Sequence, residues 1–184
     1  MKRTLLAVLA VGCLAVVAAP PVSAQGLRWG VNGGLLMPLG DYNTLDKPGW
    51  IVGGGATYWL SGGAVGVRGD FSYGQTKHDG GFTGDTKIAG GMASLVYGLG
   101  PSSASMRPFV TGGLGFYNVK VEFTGPGASS ESQSKVAFGV GGGVMFKLGT
   151  GGMRGVVATR FTSVGTDPSS TTFLPITVGL TFGK

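Results

Sequence analysis

The stretch that decides the fold runs from residue 136 to residue 148 and reads VAFGVGGGVMFKL. Every second position holds a large apolar side chain, with a break at Gly142, and the positions between hold glycine, alanine, Met145 and Lys147. Successive side chains of a β-strand point to opposite faces, so this alternation is typical of a strand. The stretch therefore predicts a strand with one bulky apolar face and one face that is small or charged.

The same alternation recurs along the rest of the chain. After residue 25 no window has a helical period, and segments of roughly ten residues alternate with clusters of turn-forming residues. The pattern leaves the facing of the second, fourth and fifth segments open, and we interpret a change of apolar phase near Phe116 and Tyr117 as a β-bulge. The eight predicted strands cover residues 27–37, 50–60, 65–74, 86–99, 108–123, 136–148, 153–162 and 172–182.

Charged side chains share the face that holds the small residues. A face of glycine and alanine makes a poor solvated surface, yet it suits a narrow lumen. The mean hydropathy of +0.29 separately indicates that the outer face lies in apolar surroundings. We therefore predict an all-β fold, an eight-stranded antiparallel up-and-down transmembrane β-barrel with its apolar face in lipid. The charges on the inward face are Arg28, Arg68, Asp70, Lys147, Arg154 and Arg160.

The connections between the predicted strands alternate between long or polar and short. The tighter ones cover residues 61–63, 100–106 and 149–152, and the others cover 38–49, 76–85, 124–133 and 165–171. In bacterial outer-membrane barrels the long loops face outward and the short turns face the periplasm. We expect 124–134 to be the most mobile loop, because it is built from glycine, serine and proline. We expect the acidic loop residues to form a water-exposed crown, comprising Asp41, Asp46, Asp79, Asp85, Glu131 and Asp167.

The first residues of the chain have the layout of a secretory signal. Residues 1–3 read MKR, residues 5–19 form an uncharged apolar run, and residues 22–24 read VSA. This order predicts a cleaved signal peptide over residues 1–24 and a barrel domain over residues 25–184.

Two other interpretations of this leader stay open. A membrane anchor would need a longer apolar run. A lipoprotein signal would use Cys13, although apolar residues rather than a polar tether follow it. Cys13 is the single cysteine and His78 the single histidine, which excludes an internal disulfide framework and the common structural zinc sites. We therefore expect no metal and no cofactor.

The net charge of +6 makes nucleic acid one possible class of partner. The basic residues are nevertheless spread over the predicted rims and lumen, and the sequence contains no groove-reading motif. The glycine runs lack the Gly-Lys-Ser/Thr and the helix that a phosphate loop requires. We therefore expect no nucleic acid partner.

Three short segments resemble a known family. Residues 37–42 read MPLGDY, residues 107–110 read RPFV and residues 174–182 read LPITVGLTF. With the leader and the strand count, they resemble the small outer-membrane β-barrel domain family, to which OmpX-like proteins and the OmpA transmembrane domain belong. The resemblance implies a Gram-negative outer-membrane location, a lipid environment, and recognition of the last strand by the barrel-insertion machinery. That signal usually ends in an aromatic residue, whereas Gly183 and Lys184 follow Phe182 here.

Four polar residues are expected inside the barrel near mid-height, namely Asn32, Arg68, Asp70 and Arg160. We interpret them as a structural ion-pair network that plugs the lumen, because eight strands leave little free bore and an unpaired buried carboxylate is costly. The alternative is a selectivity ring of a channel.

Three lysines fall near the outer ends of the predicted strands, Lys87, Lys120 and Lys135. They are candidates for contact with lipopolysaccharide phosphates through charge-assisted hydrogen bonds. Snorkelling lysines without a specific ligand are the alternative.

The chain offers no catalytic set of side chains. His78 stands beside Asp79 in a predicted outer loop, and no serine follows it at the spacing that outer-membrane deacylases use. We interpret His78 as a solvated loop residue.

Aromatic residues near the strand ends suggest two interfacial belts. The predicted periplasmic belt contains Trp29, Trp59, Tyr97, Phe109, Phe146 and Phe182, and the predicted outer belt contains Trp50, Tyr73, Phe123 and Phe173.

These features favour a non-enzymatic outer-membrane barrel that serves envelope integrity or surface contact through its loops, with the surface partner unidentified. A narrow solute channel is the first alternative, which conductance would distinguish. A secreted barrel that binds a ligand in its interior is the second, although it requires bulky apolar residues to point inward.

Overall fold

The computed structural model describes residues 26–44, 46–61, 63–78, 84–124, 128–149, 151–167 and 170–183. The predicted signal peptide and Asp79 therefore lie outside the described residues. Among the described residues, no helix is long and apolar enough to span a membrane.

Eight antiparallel strands close into one barrel in chain order, as the sequence predicts. The strands are β1 (Leu27–Leu39), β2 (Gly49–Trp59), β3 (Val65–Lys77), β4 (Gly84–Gly98), β5 (Met106–Phe123), β6 (Ser129–Lys147), β7 (Arg154–Val164) and β8 (Thr171–Phe182). Pairing of β1 with β8 closes the barrel. A short 3-10 helix, Gly40–Thr44, follows β1 and was not expected from the sequence.

The two ends of the barrel differ in the connections that they carry. The three tight turns that follow β2, β4 and β6 lie at what we call the turn end, and the other connections lie at the loop end. Each tight turn contains a glycine in the left-handed region, where other residues are strained: Gly63 (φ 67°), Gly100 (φ 79°) and Gly149 (φ 70°).

The outer surface of the barrel wall is apolar, as predicted. The strands whose facing the sequence left open follow the same rule. Trp50 and Val52 on β2 and Leu95 and Tyr97 on β4 are exposed on the outside. The positions between them point inward. We call the ring of exposed apolar side chains around the barrel wall the apolar band, and it also includes Val31, Phe71, Leu114, Val140 and Val178.

The predicted bulge in β5 is wrong. Its pairing with β4 and β6 runs without interruption past Phe116, which is 70% exposed, and Tyr117, which is 2% exposed. Beyond Phe116 the outward positions are polar, Asn118, Lys120 and Glu122, while the inward ones stay apolar. The apolar phase changes because β5 extends past the apolar band, not because the backbone is bulged.

Residues 129–134 belong to β6, which begins seven positions earlier than the sequence predicts. They pair with the end of β5, from Phe123↔Ser129 to Asn118↔Ser134. Residues 129–134 of the predicted mobile loop are therefore strand, while its residues 125–127 lie outside the described residues. The ends of β5 and β6 together project beyond the apolar band.

Side chains fill the interior in layers. A larger apolar cluster lies toward the loop end and a smaller one toward the turn end. The loop-end cluster includes Leu36, Ile51, Ile88, Met92, Tyr117, Val119 and Phe173. The turn-end cluster is built on Val96, Phe109 and Met145. The prediction that the inward face is only small or charged is therefore incomplete.

Four members of the predicted aromatic belts lie on the inward face instead, and one of them, Phe123, has its ring against that of His78. Phe109 is 4% exposed and Phe173 is 1% exposed, and Trp59 packs against the turn-end cluster. Proximity to a strand end suggested the belt, but the side of the strand, set by the alternation, decides where each ring points.

Candidate functional site in the barrel interior and at the loop end

A carboxylate and two guanidinium groups form a layer across the barrel. The even-numbered positions of β3 point inward and carry Arg68 and Asp70, and β7 brings Arg160 from the opposite wall. Arg160 donates from Nη1 to Oδ1 of Asp70 at 3.0 Å and from Nη2 to Oδ2 at 2.9 Å. Arg68 Nε donates to Oδ1 of Asp70 at 3.1 Å. The structure thus brings together three of the four residues expected in the lumen.

Two hydroxyl groups extend this layer. Arg160 Nη2 lies 3.4 Å from the hydroxyl oxygen of Tyr117, which in turn lies 3.4 Å from Oγ of Ser72. The Asp70 side chain is 5% exposed and that of Arg160 is 16% exposed, so the pair is well removed from solvent. Its bidentate geometry supplies the paired hydrogen bonds that a buried carboxylate needs.

Asn32 does not join the ion pairs. Its side chain makes no hydrogen bond within the part of the chain that the structure describes, and it lines two small cavities of about 40 Å³ and about 50 Å³. Arg68 lines both of them, and Asp70 and Arg160 line the second. These cavities have room for a few water molecules each.

A second polar cluster lies buried at the loop end. Asp46 is 4% exposed, and its carboxylate accepts hydrogen bonds from Thr76 Oγ1 at 2.6 Å and from Thr86 Oγ1 at 3.1 Å. The hydroxyl of Tyr42 lies 2.6 Å from Thr76 Oγ1. The segment after β1 is thereby held against the ends of β3 and β4, and we call this group the loop-end latch.

The interpretation of His78 as a solvated residue is wrong. Its side chain is 2% exposed, with Nε2 3.2 Å from Thr86 Oγ1 and 3.9 Å from Asp46 Oδ2. Its ring packs against that of Phe123, with centroids 4.9 Å apart and planes tilted by 49°. The signal was present in the sequence. Even-numbered residues of β3 such as Asp70 point inward, and the same alternation, continued to residue 78, predicts that His78 also points inward.

The latch also removes Asp46 from the predicted acidic crown. Burial raises the pKa of the Asp46 carboxyl above its usual range, and the hydrogen bonds from the two threonines and the nearby His78 only partly oppose this shift. Burial likewise raises the pKa of the Tyr42 phenol. Of the other predicted crown residues, Asp41, Glu131 and Asp167 are exposed.

The latch does not have the geometry of a hydrolytic triad. A relay needs the carboxylate at one nitrogen of the imidazole and the hydroxyl at the other. Here the same atom, Nε2 of His78, faces both Asp46 and Thr86, and Nδ1 is buried with no hydrogen-bond partner among the described residues. The cluster therefore ties backbone segments together and exposes no nucleophile.

Two of the three candidate rim lysines lie side by side on the outer surface. Lys87 on β4 and Lys120 on β5 are directly paired positions, and both form ion pairs with Glu122. Hydrogen bonds from Lys120 and Lys87 lower the pKa of Glu122 to about 2, and the one to Glu122 raises the pKa of Lys87. Two cations thus share one carboxylate above the apolar band.

The third lysine is separate from this pair. Lys135 lies on the inward face of β6 and forms an ion pair with Asp167, which follows β7. The side-chain amide of Gln133 donates to the backbone oxygen of Asp167 at 3.0 Å, so the same contact joins β6 to the loop before β8.

The loop end surrounds a cleft of about 300 Å³. The inward residues of the projecting part of β5, Val119, Val121 and Phe123, form its apolar wall. Four carboxylates line the same cleft, those of Asp41, Asp46, Glu131 and Asp167. Among the described residues Asp41 and Glu131 have no ion-pair partner. We call this space the mouth cleft.

Three arginines close the turn end, and sequence reasoning gave them no role. Arg107 donates to the backbone oxygen of Gly63 at 2.6 Å, Arg154 to that of Ser102 at 2.6 Å, and Arg28 to that of Gly152 at 3.0 Å. Each arginine therefore holds a different tight turn. Arg107 also lies 4.6 Å above the ring of Trp59. Among the described residues, no group of three or more His, Cys, Asp and Glu side chains could hold a metal ion.

Comparison with known proteins identifies both a family and a fold. The sequence profile of a family described as "Outer membrane protein beta-barrel domain" matches residues 5–182. A search of curated protein sequences finds no significant match.

Several solved structures are similar to the barrel. Neisserial surface protein A (NspA) has a TM-score of 0.66 at 15% identity, covering 86% of this chain and 97% of NspA. Ail of Yersinia pestis, solved with the heparin analogue sucrose octasulfate, has a TM-score of 0.59 at 20% identity, covering 85% and 99%. The N-terminal barrel domain of Pseudomonas aeruginosa OprF has a TM-score of 0.55 at 16% identity, covering 87% and 98%. At these identities the likeness concerns the fold.

Proposed function

This chain belongs to the outer membrane protein β-barrel domain family, and we propose that it is a non-enzymatic barrel of the bacterial outer membrane that acts by surface contact through its loop end. In this proposal the loop end faces outward, residues 1–24 direct export, and the last strand, β8, is recognised by the barrel-insertion machinery. The surrounding outer-membrane lipids cover the apolar band.

The mouth cleft is the observation that carries this proposal. It is formed by parts of β5 and β6 that extend beyond the apolar band and remain paired with each other. A barrel that served only as a membrane plug would not need this extension. Its volume of about 300 Å³ is at the lower end of the range for ligand sites, and its lining combines an apolar wall with convergent polar groups.

The chemistry of the cleft favours a cationic partner with apolar side chains. Asp41 and Glu131 offer carboxylates that are not neutralised by any described residue, and Val121 and Phe123 offer an apolar surface beside them. A basic, apolar segment of a neighbouring protein would fill the cleft and satisfy both features. The sulfated ligand of Ail has the opposite charge and does not suit this lining.

The interior supports surface contact over the alternative of a solute channel. The Arg160–Asp70 pair spans the lumen, apolar clusters lie on both sides of it, and the neighbouring cavities measure about 40 and 50 Å³. A continuous bore would require these layers to open. We also propose that Lys87 and Lys120 contact lipopolysaccharide phosphates, since they share one carboxylate and face outward above the apolar band.

The test uses the barrel folded in nanodiscs of zwitterionic phospholipid, with a heat-dependent gel shift as the check of folding. A fluorescent peptide of lysine and leucine is the probe, and a peptide of glutamate and leucine is its control. We expect saturable binding of the lysine peptide and none of the glutamate peptide. Changing both Asp41→Asn and Glu131→Gln should weaken binding about tenfold or more, which corresponds to about 1.4 kcal/mol.

Asp85→Asn is the matched control, because Asp85 is a carboxylate at the loop end that does not line the cleft. Equal weakening by Asp85→Asn, or equal binding of the two peptides, would overturn the proposal. Stepwise single-channel conductance of the wild-type barrel in planar bilayers would favour the channel instead.

A further inference from the structure

The interior of the barrel carries an imbalance of charge. Below the loop-end latch, five arginine side chains point inward and one described carboxylate, Asp70, lies among them. Lys147 shares the inward face but is exposed at the turn end, and the five arginines against one carboxylate leave a formal net charge of +4. Both oxygens of Asp70 are already engaged by Arg160 and Arg68. The five are Arg28, Arg68, Arg107, Arg154 and Arg160.

The smaller interior cavity lies where this imbalance is least compensated. Arg28 and Arg68 both line its volume of about 40 Å³, and no described carboxylate does. Arg28 donates through Nη1 to a backbone oxygen, and Arg68 uses Nε for Asp70. The two Nη groups of Arg68 make no hydrogen bond within the described part of the chain.

Neutral donors face the same cavity. Asn32 lines it with an amide that has no hydrogen-bond partner among the described residues. Thr181 lines it as well, and its Oγ1 is buried with no hydrogen-bond partner in the part of the chain that the structure describes. A buried polar atom of this kind costs free energy unless something in the cavity bonds to it.

We propose that this cavity binds one small monovalent anion of halide size, chloride under ordinary conditions. The Nη groups of Arg68, the amide of Asn32 and the hydroxyl of Thr181 would donate to the ion, and the charge of Arg28 would stabilise it. Water alone would satisfy the donors but would leave the positive charge uncompensated. The cavity of about 40 Å³ has room for a few water molecules, so it is large enough for a halide ion.

The neighbouring cavity supplies an internal comparison. It measures about 50 Å³ and shares Asn32 and Arg68 with the first, but Asp70 also lines it. The carboxylate repels an anion, so this cavity should hold water. The proposed site is therefore specific to one of two adjacent spaces of similar size.

The first experiment locates the ion. Crystals of the full barrel grown in sodium bromide should show an anomalous bromine peak in the cavity beside Arg28, and none in the cavity beside Asp70. A cavity beside Arg28 filled by ordered water without bromide would overturn the proposal.

The second experiment measures the linkage to folding in detergent. The midpoint of the heat-dependent gel shift is compared in sodium chloride and in sodium gluconate, whose anion is too large to enter, at equal ionic strength. The midpoint temperature should rise with the chloride concentration as the site fills. At a chloride concentration of one hundred times the Kd, the folding equilibrium should shift about 100-fold toward the folded barrel. Equal midpoints in the two salts would overturn the proposal.

Two variants and one control variant test whether the effect arises in this cavity. Thr181→Val should weaken the chloride dependence, whereas Thr162→Val should leave it intact. Thr162 Oγ1 is also buried without a partner among the described residues, but Thr162 lines neither cavity. Asn32→Asp supplies a carboxylate in place of the ion and should give a folded barrel that no longer responds to chloride. A full chloride response in both Thr181→Val and Asn32→Asp would contradict the site.

Discussion

Arg160 on β7 holds both carboxylate oxygens of Asp70 on β3, at 3.0 and 2.9 Å, from the opposite wall of the barrel. This contact joins residues 90 positions apart in the sequence. It divides the interior into a loop-end cluster and a turn-end cluster of apolar side chains. The barrel is thus closed across its middle by one bidentate ion pair.

Removing the carboxylate of this pair should destabilise the barrel. Asp70→Ala leaves Arg68 and Arg160 facing each other without a counter-charge, and loss of one partner of a buried ion pair costs about 3–5 kcal/mol. The midpoint of the heat-dependent gel shift in detergent should fall accordingly. Arg68→Gln should have a smaller effect, because Arg68 makes one contact and its side chain is 25% exposed. An unchanged midpoint for Asp70→Ala would show that the pair does not support the fold.

The Glu122 carboxyl should titrate far below its usual range. Hydrogen bonds from Lys120 and Lys87 lower its pKa to about 2 from an ordinary 4.5. The pKa of Glu122 is lower in the folded barrel than in the unfolded chain. The stability that the ion pairs of Glu122 contribute is therefore present above pH 4.5 and is lost as the pH falls toward 2. The check is an NMR titration of the carboxyl carbon in micelles. Lys120→Met should move the midpoint upward, and a wild-type midpoint near 4.5 would refute these ion pairs.

The turn end should not tolerate a methyl group beneath Arg107. A Cβ on Gly98 would overlap the guanidinium group that donates to Gly63 and lies over Trp59. Gly98→Ala should therefore cost about 1–3 kcal/mol, as overpacking of a buried site does. Urea unfolding in lipid vesicles measures the loss.

Gly69→Ala is the control for this change. A Cβ at Gly69 meets no atom of the described residues within 4 Å, so the variant should unfold at the wild-type urea concentration. Equal sensitivity of the two variants would mean that loss of glycine itself, and not the displacement of Arg107, is responsible.

Lipopolysaccharide should stabilise the barrel through the outward lysine pair. For the wild type, the midpoint temperature of the heat-dependent gel shift should be higher in nanodiscs that contain lipopolysaccharide than in nanodiscs of phosphatidylcholine alone. Replacing both Lys87→Gln and Lys120→Gln should remove most of this gain. Lys135→Gln should keep it, because Lys135 points inward and pairs with Asp167. The same gain in the double variant as in the wild type would rule out these two lysines as contacts.

The alternation of side chains was sufficient to predict the fold. It gave eight strands, their order and the outward apolar face, because each of these depends on a period that is local in sequence. It also placed Arg68, Asp70 and Arg160 on the inward face, where the structure brings them into contact.

The sequence analysis failed where β5 and β6 extend beyond the apolar band. The change at Phe116 looked like a bulge because the same alternation continues while the surroundings change from apolar to polar. For the same reason residues 129–134, rich in serine, looked like a loop although they pair with β5. Burial of Asp46 and His78 depends on the folding of one loop over two strand ends, which a local pattern does not encode.

The orientation of the barrel in the membrane tests the central claim most directly. The one cysteine, Cys13, lies in the predicted signal peptide, so single cysteines can be placed at Glu131 beside the mouth cleft and at Ser102 in a tight turn. Intact cells that express Glu131→Cys or Ser102→Cys are treated with a membrane-impermeant maleimide, with the unchanged chain as background. We expect labelling of Glu131→Cys on intact cells and labelling of Ser102→Cys only after the outer membrane is permeabilised. Labelling of Ser102→Cys on intact cells, with Glu131→Cys protected, would contradict the claim that the loop end is the surface of contact.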